Sequence, residues 1–229
     1  AIVIEPARGN EVNKSYLKKL VKIADKNKSV LIFDEITSGF RMNNGGIHLK
    51  SKIYPDIAVF AKSIANGYAM SAIIGKRKIM GSASKTFISS TNWTERIGPT
   101  AAISTITKCI NHKVFNHNID LGKRMKKLWK KIAHKHGLKI QISGIDTLPS
   151  FSFLHKDNQK MQTFFTREML KYNILAYRQF RPSFAHNNKH LKTYEKFADK
   201  IFKNLSENKY KKLNRLEVSM KSFSRLTKE

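Results

Sequence analysis

Val30-Leu31-Ile32-Phe33-Asp34-Glu35 opens on four apolar side chains and stops on two acids. A short apolar run of this kind suits a strand buried on both faces, as in a parallel sheet. Upstream, residues 14–26 carry Tyr16, Leu17, Leu20, Val21 and Ala24 on one face at helical spacing, and residues 2–5 form another short apolar run. Downstream, apolar runs recur at 57–61 and 71–75. Strands at 2–5, 30–34, 57–61 and 71–75, with a crossover helix between the first two, predict an α/β arrangement built on a parallel sheet with covered faces.

The rest of the chain predicts more helix. Residues 94–112 would turn Ala101, Ala102, Ile106 and Ile110 to the core. Residues 121–136 set Leu121, Met125, Leu128, Trp129 and Ile132 in one stripe against a lysine-rich face. Such a stripe also suits a membrane surface; Gly137 and the strand-like run 138–142 that follow favour a core-packed helix. Turn residues at 144–149 lead into a smaller α+β part, with a strand around Phe151 and Phe153 and helices at 163–172 and 190–204. The predicted organisation is a first domain over 1–136, a small domain over 137–206 and a tail over 207–229.

At 229 residues and 41% hydrophobic content the chain can bury a real core. Its formal charge of +28 raises the question of nucleic acid, but the cations are 34 Lys against 10 Arg, scattered along the chain. Specific nucleic-acid readers favour Arg and aromatic platforms, so no specific nucleic-acid partner is expected. Charge breaks every apolar stretch, and the first residues lack the pattern of a signal peptide; no membrane span and a cytoplasmic setting are expected. The single cysteine, Cys109, reads as a small core residue, and no histidine has metal-site spacing. Because Ala1 opens directly on an apolar run, the chain reads as lacking an N-terminal part.

Lys62 lies 28 residues beyond Asp34, after the apolar run 57–61 and before the small-residue stretch Ser63-Ile64-Ala65-Asn66-Gly67. A carboxylate at one strand's end and a lysine just past the next strand are what pyridoxal phosphate chemistry needs. The lysine forms a Schiff base, and the carboxylate keeps a proton on the pyridine nitrogen so that the ring accepts electrons. Taken singly, Asp34 also suits a strand-end cap, and Lys62 a surface charge.

Several motifs occur in one order: Ile4-Glu5-Pro6 with Gly9-Asn10, Asp34-Glu35-Ile36 with Thr37-Ser38-Gly39-Phe40-Arg41, Gly45-Gly46, Pro55-Asp56, Ala61-Lys62-Ser63 through Tyr68, and Ser90-Thr91-Asn92-Trp93. Together they resemble the class III pyridoxal-phosphate-dependent aminotransferases, in the glutamate-1-semialdehyde 2,1-aminomutase-like branch. The motifs cover about the first half of the chain, and a weaker likeness in element order continues to roughly Asn204.

The resemblance implies fold type I, with part of the large parallel-sheet domain and a small C-terminal α+β domain. It implies pyridoxal 5′-phosphate as cofactor, Lys62 as the Schiff-base lysine and Asp34 as the partner of the pyridinium nitrogen. It sets Ile36 against the cofactor ring, a position that core packing explains equally well. Thr91 would bind the cofactor phosphate of a neighbouring subunit, implying a homodimer, although a simple Ser/Thr cap also fits and Thr86 or Ser90 can take its register. Asn10 would meet the cofactor's phenolic oxygen or the substrate, with a turn-forming Asn as the alternative. The family's glycine-serine phosphate turn and stacking aromatic fall upstream of Ala1, so this chain alone is expected to be inactive. The substrate would be a small amine or amino acid. Two alternatives stay open: an aminotransferase for sugar or cell-surface polymer synthesis, and a non-catalytic basic binding protein derived from such a fold.

Overall fold

A computed structural model describes residues 1–7, 13–89, 94–214 and 218–219. The first apolar runs are strands β1 (Ile2–Ile4) and β2 (Leu31–Asp34), joined through helix α1 (Lys14–Lys26). Asn13 caps α1 by accepting from the Ser15 and Tyr16 N–H groups, which satisfies donors that a helix start leaves orphaned. Leu17 and Ala24 face the sheet and pack with Leu31, Phe33 and Ile53. Tyr16, placed on that face by spacing, is instead 51% exposed, one position round from the buried stripe.

After the short helix α2 (Ile47–Ser51), β3 (Ile57–Phe60) pairs parallel with β2 in the register Phe33↔Ala58 and Asp34↔Val59. Strand β4 (Ala72–Gly75) completes the order β1-β2-β3-β4 but runs antiparallel to β3. The expected parallel sheet is present in β1, β2 and β3, and β4 adds one antiparallel edge to it. The link from β3 to β4 holds one 3₁₀ turn, Lys62–Ile64, and no crossover helix, so the chain folds back on itself. A short helix α3 (Arg77–Met80) precedes α4 (Ile97–Asn111), whose Ala102 packs with Ala58, Phe60, Ile64 and Ala65. Ile110, expected in the core, is 50% exposed.

Packing divides the chain into two units, Ala1–Ile119 with Gly144–Thr147, and Asp120–Ser143 with Leu148–Glu229. The division falls inside α5 (Val114–Lys135), upstream of the boundary that Gly137 suggests. The reason lies in the stripe Leu121, Met125, Leu128, Trp129 and Ile132, which is buried in the second unit's core. A membrane-lying role for that stripe is overturned by the same packing. Gly137, at φ +65°, follows the helix end as the pattern predicts.

The second unit sets an antiparallel pair, β5 (Ile140–Ser143) and β6 (Ser150–Phe153), among α5, α6 (Asn158–Leu170) and α7 (Asn188–Ser206). Phe151 is ringed by Trp129, Phe153, Phe165 and Phe202 at centroid separations of 4.9 to 5.9 Å. The Trp129 indole N–H donates to the Tyr194 hydroxyl at 2.8 Å, which lets both polar tips stay buried. Part of the expected tail joins this core: a 3₁₀ turn at Lys209–Lys212 buries Tyr210 to 2% exposure. No helix among the described residues is long and apolar enough to cross a membrane.

Candidate active site

The parallel pairing of β2 with β3 brings the sequence's two chemical candidates to one end of the sheet. Asp34 is the last residue of β2, and Lys62 stands three residues past its register partner Val59. Sites of open α/β sheets form at this carboxyl end of the strands.

Asp34 is half-buried, and its Oδ1 accepts from the Ile36 N–H at 3.0 Å, closing a small turn at the strand end. Among the described residues its other oxygen carries no hydrogen bond and no cation pairs with it. Ile36, half-buried, follows directly. Lys62 is exposed and takes φ +52°, in the left-handed region that costs a non-glycine residue on the order of 1 kcal/mol. Its Nζ donates to Thr37 Oγ1 at 3.0 Å. Ile64 and Ala65 behind it are buried against Phe60 and Ala102, so the lysine's turn rests on core.

Beside this pair lies a buried carboxylate. Glu35 is fully buried; its Oε2 accepts from Ser38 Oγ at 2.5 Å and the Ile47 N–H at 2.9 Å, and its Oε1 from the His48 N–H at 3.1 Å. His48 Nδ1 is 3.0 Å from Oε1 and donates there, because an ionised carboxylate only accepts. Burial pushes the Glu35 carboxyl up. The bonds from His48, Ser38 and the two backbone amides outweigh it and hold the group below the ordinary glutamate range.

This cluster accounts for two glycines of the motif. A Cβ at Gly39 would sit 2.5 Å from Phe60 Cδ1 and 2.8 Å from the Glu35 carbonyl oxygen, and one at Gly46 would collide with the His48 ring and lie 2.6 Å from Glu35 Oε1. Only glycine admits these approaches.

Thr91 and Asn10, the remaining predicted site residues, lie outside the described residues. Sequence spacing did not reveal Thr37 as the partner of Lys62, or His48 as the partner of Glu35. Thr37 has one legible signal, its hydroxyl three residues past Asp34; the thirteen-residue step from Glu35 to His48 has none. Cys109 is half-buried and burial pushes its thiol up, away from reactivity. Among the described residues no group of three or more His, Cys, Asp or Glu side chains gathers as a metal site. A cavity of about 520 Å³ in the second unit, lined by Trp129, Tyr172, Phe180 and Tyr194 among others, includes neither Asp34 nor Lys62. Chemistry rather than volume therefore picks out the sheet end: an amine resting on a neutral hydroxyl, and a carboxylate with one oxygen ready to accept an N–H.

Residues 1–177 match the family described as aminotransferase class-III. The chain is 31% identical over 164 residues to the 3-aminobutyryl-CoA aminotransferase of Cloacimonas acidaminovorans (strain Evry), covering 69% of this chain and 39% of that protein. It is 31% identical over 242 residues to the glutamate-1-semialdehyde 2,1-aminomutase of Campylobacter hominis, covering 96% of this chain and 54% of that one. The FumI protein of Sphingopyxis sp. MTA144, solved in its PLP internal aldimine form, superposes with a TM-score of 0.85 at 21% identity, over 93% of this chain and 53% of FumI; this is a likeness of fold. The chain spans about half the length of such relatives, or less.

Proposed function

We propose, from the premise that this chain belongs to the class-III aminotransferase family, that it carries the central residues of a pyridoxal-phosphate-dependent amino-group transferase, glutamate-1-semialdehyde 2,1-aminomutase-like in kind. The observation that carries the reading is the placement of Asp34 and Lys62 at the carboxyl ends of adjacent parallel strands, where among the described residues one keeps an oxygen to accept with and the amine of the other meets only a hydroxyl.

When bound, the cofactor supplies an aldehyde for an amine to attack and a ring that accepts electrons from the substrate's α-carbon. Lys62 Nζ would bear the cofactor and then move the proton at that α-carbon, acting as base and acid in turn. Asp34, through its second carboxylate oxygen, would hold the proton on the ring nitrogen. Ile36 would lie against the ring, its β-branched side chain giving a stiff apolar surface. Thr91 would bind the cofactor phosphate of a neighbouring subunit in a homodimer, and Asn10 would meet the cofactor's phenolic oxygen or the substrate. A small amine or amino acid as substrate and a cytoplasmic setting complete the reading.

Borohydride reduction of the whole protein with pyridoxal phosphate, followed by peptide mapping, should place the reduced pyridoxyl group on Lys62. Its appearance on another lysine, or its absence from folded protein, removes the proposal.

A further inference from the structure

We propose that Glu35 is a positioning residue for Lys62: its buried carboxylate locks the turn of residues 35–39 so that Thr37 Oγ1 receives and holds the lysine amine. The functional weight of this inference rests on the reading of Lys62 as the cofactor-bearing amine; its geometry does not.

An exposed lysine has wide rotamer freedom, and a single bond to a neutral hydroxyl restrains it only if that hydroxyl is itself fixed. Thr37 is held through its own carbonyl and through the residues on either side of it. At the start of its turn, the Glu35 N–H donates to the Val59 carbonyl at 2.9 Å, tying the turn to β3, the strand that delivers Lys62. The turn closes through the Gly39 N–H on the Glu35 carbonyl at 2.7 Å. The Thr37 carbonyl accepts from Arg41 Nε at 2.8 Å. Next to Thr37, Ser38 donates its hydroxyl to the Glu35 carboxylate, and the first amides of α2 bind the same carboxylate from the far end of the loop.

Glu35 is fully buried, and all four described bonds of its carboxylate go to Ser38, Ile47 and His48. It therefore acts on the chemistry only through the segment it ties down. A buried carboxylate is expensive unless fully bonded, and here every bond it makes closes the one loop that bears Thr37.

The test is NMR relaxation on the full chain labelled with ¹³C at lysine Cε, with the Lys62 signal assigned through Lys62→Arg. A held Lys62 should show an order parameter about twice that of the exposed lysines Lys18 and Lys22. Thr37→Val should bring it down to their level and Thr37→Ser should keep it. Ser38→Ala and Glu35→Gln, which leave Thr37 untouched, should each take it at least half of the way down while the amide shifts of β2 and β3 stay in place. Should Glu35→Gln fail to fold, Ser38→Ala decides. An unchanged Lys62 in Thr37→Val overturns the hold. A drop in Thr37→Val without one in the Glu35 and Ser38 variants overturns the role of Glu35, which would then be structural and read only in the melting temperature. These signals need no cofactor, so failure of borohydride labelling at Lys62 would sink the proposed function and leave this result standing, and the converse holds.

Discussion

Replacing Glu35 by Gln keeps the shape of the side chain and removes its charge, which makes it a sharp probe of the buried cluster. The carboxylate accepts four hydrogen bonds, two on each oxygen. A glutamine retains one acceptor oxygen for the His48 N–H and Nδ1–H, while its amide replaces Oε2 with a donor. The Ser38 hydroxyl can rotate and accept from that amide; the Ile47 N–H cannot, and an orphaned buried donor costs about 1–3 kcal/mol. The remaining bonds also lose their charge assistance, so a total near 3 kcal/mol is expected at pH 7.

The pH dependence has a definite sign. The folded-state pKa of Glu35 lies below its unfolded value, so the unfolded chain binds the extra proton first. The contribution is fully present above the unfolded value, around pH 4.5, and is lost as pH falls through the folded one. Urea unfolding of wild type and Glu35→Gln from pH 7 down to pH 3 should show a stability gap that narrows with acid. A gap that stays constant across the range, or one under about 0.5 kcal/mol at pH 7, would refute the account of Glu35 as an ionised, fully bonded group.

Asp34→Asn should leave the fold within about 1 kcal/mol, because among the described residues one backbone N–H is all that leans on it, yet slow α-proton exchange in the whole protein by about two orders of magnitude or more. Urea unfolding and solvent-deuterium exchange followed by NMR check the two halves, and unchanged exchange would make the carboxylate structural. In the second unit, Trp129→Phe and Tyr194→Phe each orphan a buried polar tip and should cost about 1–3 kcal/mol apiece, with the double variant less destabilised than their sum by about 1 kcal/mol in a thermal or urea cycle. Strict additivity would mean the indole–phenol bond carries no coupling. Association with DNA or RNA should be sequence-indifferent and vanish as salt rises; tight, sequence-selective binding near 150 mM salt would favour a nucleic-acid role.

Where one periodicity dominated, the chain was legible. Helix α1 appears at the predicted residues 14–26, and β2 and β3 fall within a residue of their apolar runs, since burial on both faces leaves few alternatives. The places of Asp34 and Lys62 in the fold were legible for the same reason, as both sit at strand ends that the apolar runs mark. The direction of β4 was missed although the short link to it argues for a fold-back. Helix α6 starts at Asn158 rather than 163: Met161 begins its buried stripe with Phe165 and Met169, but the polar Asn158, Gln159, Lys160 and Gln162 around it mask that start in the sequence. Tyr210 looked like tail because one aromatic among lysines has no period; the core that receives it is assembled from distant helices. Thr37 and His48 depend on the path of a loop, which side-chain spacing does not encode.

Among the described residues, four lysines share left-handed backbone: Lys28, Lys52, Lys62 and Lys113. Lys28, Lys52 and Lys113 end α1, α2 and α4, where such a residue is the ordinary way to stop a helix and glycine its best occupant. Anyone raising the heat resistance of this protein would put glycine at those three positions for a gain of about 1 kcal/mol each, and would be tempted to do the same at Lys62. There the same backbone relief would remove the amine with it. The three helix ends thus serve as built-in controls for the fourth: equal backbone relief at all four positions, with loss of function confined to residue 62, would separate the strain the fold can discard from the strain the chemistry requires.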